Sequence, residues 1–158
     1  MKPNQKLPTL AVCDVLNIDR QRLNEDIASG AYPCAPRAHA RTGRFWDEAD
    51  MCALRVYSFM MNVYGVEQAT RKPAISKRVA GMYAEAVLAA LRADPDATGR
   101  FDFPLDGFND GCVARAEGDA PSFWGPNDTG SEVATICFSI DGIRQQVRAR
   151  YKQWAGEE

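Results

Sequence analysis

The segment Leu16-Asn17-Ile18-Asp19-Arg20-Gln21-Arg22-Leu23 decides how this chain is read. Asn tolerates the left-handed backbone better than most side chains do, so Asn17-Ile18 is expected to form a tight turn. Asp19 is an N-cap residue. The helix it starts is expected over about residues 20–29, with Gly30 as its stop. Upstream, Thr9 is expected to cap a first helix that runs to about Leu16, and residues 1–8, with Pro3 and Pro8, read as a short flexible lead. Cys13 is the small residue where the two helices would cross. Leu23 pins the second helix onto the first, and Val12, Leu16 and Ile18 complete a small core.

Downstream, residues 31–46 hold Pro33, Pro36 and Gly43 and carry no helical stripe. The stretch from Arg37 through Thr42-Gly43-Arg44 to Trp46 reads as a short hairpin or wing. Asp47 is expected to cap a third helix, with Asp50 in its first turn and a stripe of Leu54, Tyr57, Met61 and Tyr64; Gly65 would end it. A fourth helix is expected to start near Pro73. Its stripe is Ile75, Val79, Met82/Tyr83, Ala86, Ala90 and Leu91. Its small residues Ala80, Gly81, Ala84 and Ala90 admit a close neighbour, either its own core or a second subunit. Residues 93–100, ADPDATGR, are a turn-rich linker, and residues 101–131 are rich in Gly, Pro and Asp. Val133–Ile140 alternates apolar and polar residues, the pattern of a half-buried strand. Asp141 is expected to cap a last helix with the stripe Ile143, Val147, Tyr151 and Trp154. The fold class expected is α+β: a mainly helical N-terminal part over residues 1–64, a helical connector over 65–100, and a small acidic strand-and-helix module over 101–158.

The 158 residues have a formal net charge of −2, but the charge is unevenly placed. Residues 1–45 carry seven Lys/Arg against four Asp/Glu, whereas residues 101–140 carry one Arg against seven acids. A basic first third beside an acidic later region points to one polyanion-binding surface on a body that otherwise repels polyanions. No apolar run approaches the roughly 18 residues of a membrane-spanning helix. The opening MKPNQKLPTL has no apolar signal core. The expectation is a cytoplasmic chain with no membrane partner. The five Cys (Cys13, Cys34, Cys52, Cys112, Cys137) form no CxxC and are read as reduced thiols. With His39 as the single His, neither a metal site nor a cofactor is expected.

Taken together, the order of these pieces resembles the winged helix-turn-helix of the MerR-like superfamily. The matching residues are Leu16 to Leu23, then Gly30, Pro33, Arg41-Thr42-Gly43-Arg44-Phe45-Trp46 and Asp47-Glu48-Ala49-Asp50. The resemblance covers about residues 9–64. Asn17 stands where the family usually has Gly, and Asn24-Glu25-Asp26 stands in place of an Arg-aromatic-aromatic run. A strand-containing acidic region replaces the long dimerising coiled coil. The resemblance implies DNA binding by a distant or phage-like branch. It does not imply metal sensing.

The residues carry a physical reading of their own. On the second helix Leu23 and Ile27 form the expected buried edge. Gln21, Arg22, Glu25, Ala28 and Ser29 lie opposite, with Asn24 flanking. In a major groove, Gln21 and Asn24 can pair with adenine, Arg22 with guanine and Glu25 with cytosine, while Arg20 is placed for a phosphate. The wing offers Arg37, His39, Arg41 and Arg44 to phosphates or a minor groove. Glu25 and Asp26 oppose nonspecific binding, so each must read a base or face away. Phe45 and Trp46 are read as core.

The expected function is sequence-specific double-stranded DNA binding that regulates transcription. A homodimer is expected, with Val133–Ile140 and the helix ending at Trp154 as its interface. The acidic 101–140 region is a candidate surface for a protein partner. Three rivals stand beside this: an excisionase-like architectural protein that bends DNA, a protein-interaction module without DNA affinity, and a ligand-gated repressor with a pocket around Phe123-Trp124. An enzyme is not expected. No Walker, GxSxG or HExxH motif occurs. Asp102, Asp106, Asp110 and Asp119 are read as solvated loop acids.

Overall fold

The computed structural model describes residues 5–63, 76–104, 115–116 and 135–157. Asn17 adopts the left-handed conformation at φ 54° and ψ 56°. Its N–H donates to the Asp14 carbonyl at 3.3 Å, and the Ile18 N–H donates to the Cys13 carbonyl at 2.9 Å. These bonds satisfy the last carbonyls of α1 (Thr9–Leu16). Helix α2 (Arg20–Ala28) begins at Asp19, whose carboxylate accepts from the Arg22 N–H at 2.7 Å. Gly30 follows with φ 76°. Val12, Cys13, Leu16 and Leu23 are buried at the crossing, as the sequence predicts.

Two expectations at the N-terminus are corrected. The lead is not loose throughout: β1 (Leu7–Pro8) pairs antiparallel with β2 (Phe45–Trp46), Leu7 opposite Trp46, and Leu7 is buried. Thr9 does not cap α1. The cap position is Pro8, which makes no side-chain cap, and the Thr9 hydroxyl instead accepts from the Trp46 indole Nε1–H at 3.0 Å. A buried Trp keeps an N–H that needs a partner, and Thr9 supplies it.

Helix α3 (Glu48–Val63) opens on a reciprocal acid pair. Asp47 accepts from the Asp50 N–H at 3.1 Å, and Asp50 accepts from the Asp47 N–H at 3.0 Å, so each carboxylate satisfies the other's orphan donor. Leu54, Tyr57 and Met61 are buried; Tyr64 and Gly65 lie outside the described residues. Helix α4 (Lys77–Ala93) is capped by Ser76, which accepts from the Val79 N–H at 3.2 Å. The start expected near Pro73 lies outside the described residues. The stripe is also rotated. Ala80, Gly81, Tyr83, Ala84, Val87 and Leu91 are buried, whereas Val79, Met82, Ala86 and Ala90 are half-buried.

The small residues explain the rotation. A Cβ on Gly81 would collide with the Ala31 carbonyl oxygen and lie 3.0 Å from Pro33 Cδ. Helix α4 therefore meets the backbone that leaves α2. Gly81→Ala is expected to destabilise the protein by about 1–3 kcal/mol, because the overpacking cost exceeds the roughly 1 kcal/mol that Ala adds to a helix over Gly. Urea unfolding checks this, and a raised midpoint would show that the approach has room to relax.

The later strands are β3 (Arg100–Pro104), β4 (Arg115–Ala116) and β5 (Thr135–Ser139), antiparallel in the order β4-β3-β5. Phe101 sits between Ala116 and Phe138 in register. The strand expected over Val133–Ile140 is Thr135–Ser139; residues 133–134 lie outside the described set. Phe138 and Ile140 are buried and Ser139 is exposed, the alternation expected. Ser139, not Asp141, caps α5 (Ile140–Ala155), accepting from the Gly142 N–H at 3.0 Å. Asp141 sits in the first turn, where its charge still meets the helix dipole.

Among the described residues a buried cluster runs from Leu7 through α1–α4 to Phe138, Ile143, Val147 and Tyr151. Phe138 of β5 and Ile140, Ile143, Val147 and Tyr151 of α5, on elements expected to pair two subunits, thus line the chain's own core. Trp154 is 46% exposed. The fold is α+β and mainly helical. No helix among the described residues is long and apolar enough to cross a membrane.

Candidate functional site

The outward face of α2 is set by what its inward face holds. Leu23 and Asp26 are buried, and Arg20, Gln21, Arg22, Asn24, Glu25, Ala28 and Ser29 are exposed. Ile27, expected on the buried edge, is half-buried, and Asp26 has that inward place. It is a carboxylate with company: the Tyr57 hydroxyl donates to it at 2.9 Å and the Lys77 ammonium at 2.5 Å. Its backbone carbonyl accepts from the Tyr32 N–H at 3.0 Å. Burial, followed by the hydrogen bond and charge of Asp26, pushes the Tyr57 phenol above its ordinary pKa. One of the two acids that oppose a polyanion on α2 therefore faces away. The other, Glu25, is exposed and accepts from Gln21 Nε2 at 3.0 Å. Gln21 keeps its amide oxygen and one N–H for another partner.

The segment expected to form a wing is a tight hairpin. His39 and Gly43 exchange N–H···O bonds of 2.8 and 3.1 Å around Ala40-Arg41-Thr42. Gly43 takes φ 77°, which a glycine adopts without strain. Arg37, His39 and Arg41 are exposed. Arg44 is half-buried and donates to the Pro36 carbonyl at 3.0 Å, so it closes the base of the hairpin. Trp46 is fully buried, and half-buried Phe45 meets the His39 ring at 6.4 Å.

Arg92, from the last turn of α4, reaches back to the acid pair that caps α3. Its guanidinium binds Asp47 and Asp50, both at 2.7 Å. Burial alone raises the Asp47 carboxyl, but the Arg92 hydrogen bond and the Asp50 N–H outweigh it, and the pKa falls. Burial, with the neighbouring Asp47 charge, raises Asp50. Beside this closed triad an open cleft of about 360 Å³ carries Lys6, Arg37 and His39 on its other wall.

Pairing separates the cations. In the later part of the described chain, Arg92 is bound to Asp47 and Asp50, Arg144 and Arg148 to Glu48, and Lys77 to Asp26. Arg150 donates to the Leu16 carbonyl. In the first 45 residues, by contrast, Lys6, Arg20, Arg22, Arg37 and Arg41 carry exposed side chains with neither an ion pair nor a side-chain hydrogen bond among the described residues. Among described residues beyond these, Arg78 and Lys152 share that state.

Cys13, Cys34 and Cys52 are buried free thiols. Burial pushes Cys34 and Cys52 up to about 12, which leaves them protonated and unreactive at neutral pH. No cluster of metal-binding side chains occurs among the described residues. The Phe123-Trp124 pocket, Cys112, Asp106, Asp110, Asp119 and most of the acidic 101–140 region lie outside the described residues. No model of a known protein family matches the chain, and no curated protein matches it either.

Proposed function

We propose that this protein binds double-stranded DNA through a winged helix-turn-helix, with α1 and α2 as the helical pair and the hairpin 39–43 as the wing. The unpaired cations carry the reading. Five of them fall within the first 45 residues, on the N-terminal arm (Lys6), on α2 (Arg20, Arg22) and in or just before the hairpin (Arg41, Arg37), while the cations of the later helices are mostly bound to the chain's own acids and carbonyls. Duplex DNA rewards unpaired Lys and Arg through counterion release. Helix α2 adds the polar side chains that read base edges: Gln21, Arg22, Asn24 and Glu25. Arg20, Arg37, His39 and Arg41 serve the backbone or a minor groove. Arg44 supports the hairpin from its base.

Regulation of transcription follows as the use of such a reader, with two copies on a two-fold operator, since one short helix and one wing cover few base pairs. Selection of bound duplexes from a random pool at two salt concentrations tests the reading. A recovered site with two-fold symmetry is the outcome expected. Arg22→Ala should relax one base position at a cost of about 1–3 kcal/mol. Arg41→Ala should weaken all duplexes alike and lower the salt slope by about 1. Binding left intact by both changes would overturn the assignment.

A further inference from the structure

A second cleft, of about 210 Å³, lies between the middle of α3 and the start of α5. Its walls are apolar: Val56, Phe59, Phe138 and Ile143, with the two phenyl rings meeting edge-on at 5.5 Å. Its polar side chains are Arg55, Gln146 and Ser139; Arg55 Nε donates to Gln146 Oε1 at 3.2 Å, and the Ser139 hydroxyl accepts from the Gly142 N–H at 3.0 Å. Arg55 differs from its neighbours. Arg92 binds two carboxylates, and Arg144 and Arg148 share Glu48. Among the described residues Arg55, which is half-buried, forms no ion pair and has a like charge, Arg150, as the charged group that acts on it. Burial and that repulsion both lower its pKa. Its two terminal nitrogens, the fork that matches a carboxylate, make no hydrogen bond within the described chain.

We propose that this cleft binds a small organic monocarboxylate, with its carboxylate on the Arg55 fork and its ring or short chain against Phe59 and Phe138. The volume is that of about seven waters, below the range of drug-sized sites, so a single ring or a chain of a few carbons fills it. An inorganic anion would satisfy the guanidinium but leave the phenyl walls wet. A neutral apolar molecule would fill the walls but leave the guanidinium desolvated and unpaired. The two features together select a molecule that is charged at one end and apolar at the other. This inference does not rest on the DNA reading, because its test measures binding of the small molecule alone.

The test titrates benzoate into the full chain and follows amide NMR shifts. Benzamide has the same ring without the charge, and acetate the charge without the ring. Benzoate should saturate with a dissociation constant on the order of a millimolar, the range open to a ligand of that size. Benzamide and acetate should each bind about tenfold more weakly or worse. Arg55→Met keeps the aliphatic stem and should abolish saturation while leaving the melting temperature unchanged. Should that variant fail to fold, benzoate against benzamide on the unmodified chain decides alone. Equal responses to benzoate and benzamide, benzoate binding that survives Arg55→Met, or no saturation with benzoate would each overturn the proposal.

Discussion

Trp46→Ala is expected to cost about 3–5 kcal/mol, the range for deleting a large buried aromatic side chain. Trp46 is fully buried. Its ring stacks on Tyr32 at 6.2 Å, its indole N–H donates to Thr9, and its strand pairs with Leu7. The side chain therefore joins the N-terminal arm, the start of α1 and the link after α2. A loss of that size is a large share of the about 5–15 kcal/mol that holds a domain together, and the melting temperature should fall by roughly 10 °C or more. Differential scanning calorimetry reads it. Trp46→Phe keeps a ring and loses the N–H, so it should fall between. Tyr32→Phe is the control: the Tyr32 hydroxyl is buried without a hydrogen-bond partner among the described residues, and removing it should cost little or nothing. A Trp46→Ala cost below about 1 kcal/mol would mean that the arm and the hairpin base are not tied through this ring.

What could be read in the sequence was chemistry that acts over three or four residues. Asn17 in the left-handed region, Asp19 accepting from Arg22 and the Asp47–Asp50 exchange each need only a short local pattern. Adjacent candidates were harder to separate. Ser139 and Asp141 both accept N–H groups well, and the strand β5, ending at Ser139, decides between them. Pairing across the chain had no signal at all. Pro8 cannot donate in a strand ladder, so nothing local marks the two-residue pairing of β1 with β2. Arg44 looks in sequence like the hairpin's other cations, because its partner, a carbonyl eight residues away on Pro36, leaves no mark there. The same holds for Asp26, whose partners lie 31 and 51 residues away. The face of α2 was legible at Gln21, Arg22, Asn24 and Glu25, and the helix turned so that a charge, not Ile27, went inward.

That inward charge gives the second large effect. Asp26→Ala is expected to destabilise the protein by about 3–5 kcal/mol, the range for breaking a buried pair from one side. It strips the Tyr57 hydroxyl of its acceptor and the Lys77 ammonium of its counter-charge. Lys77→Met is expected to cost less, because the Lys77 side chain is 46% exposed and water can take its place beside the carboxylate. The double variant decides what the contact is. If Asp26 and Lys77 act as a pair, the second substitution should add little once the first is made, a coupling of about 0.5–3 kcal/mol; two independent residues would simply add. The proposed DNA binding would give the same contact a readout of its own. Asp26 ties α2 to α3 through Tyr57 and to the first turn of α4 through Lys77, while Gln21, Arg22 and Asn24 stay on the opposite face. Lys77→Met, measured where the protein is fully folded, should therefore weaken the preferred duplex more than a random one, because the helix keeps its cations and loses its fixed angle to the groove. Equal weakening of both duplexes would show that Lys77 acts as one more cation near the phosphates, and that Leu23, the Asn17 turn and the Tyr57–Asp26 bond hold the orientation of α2 without it.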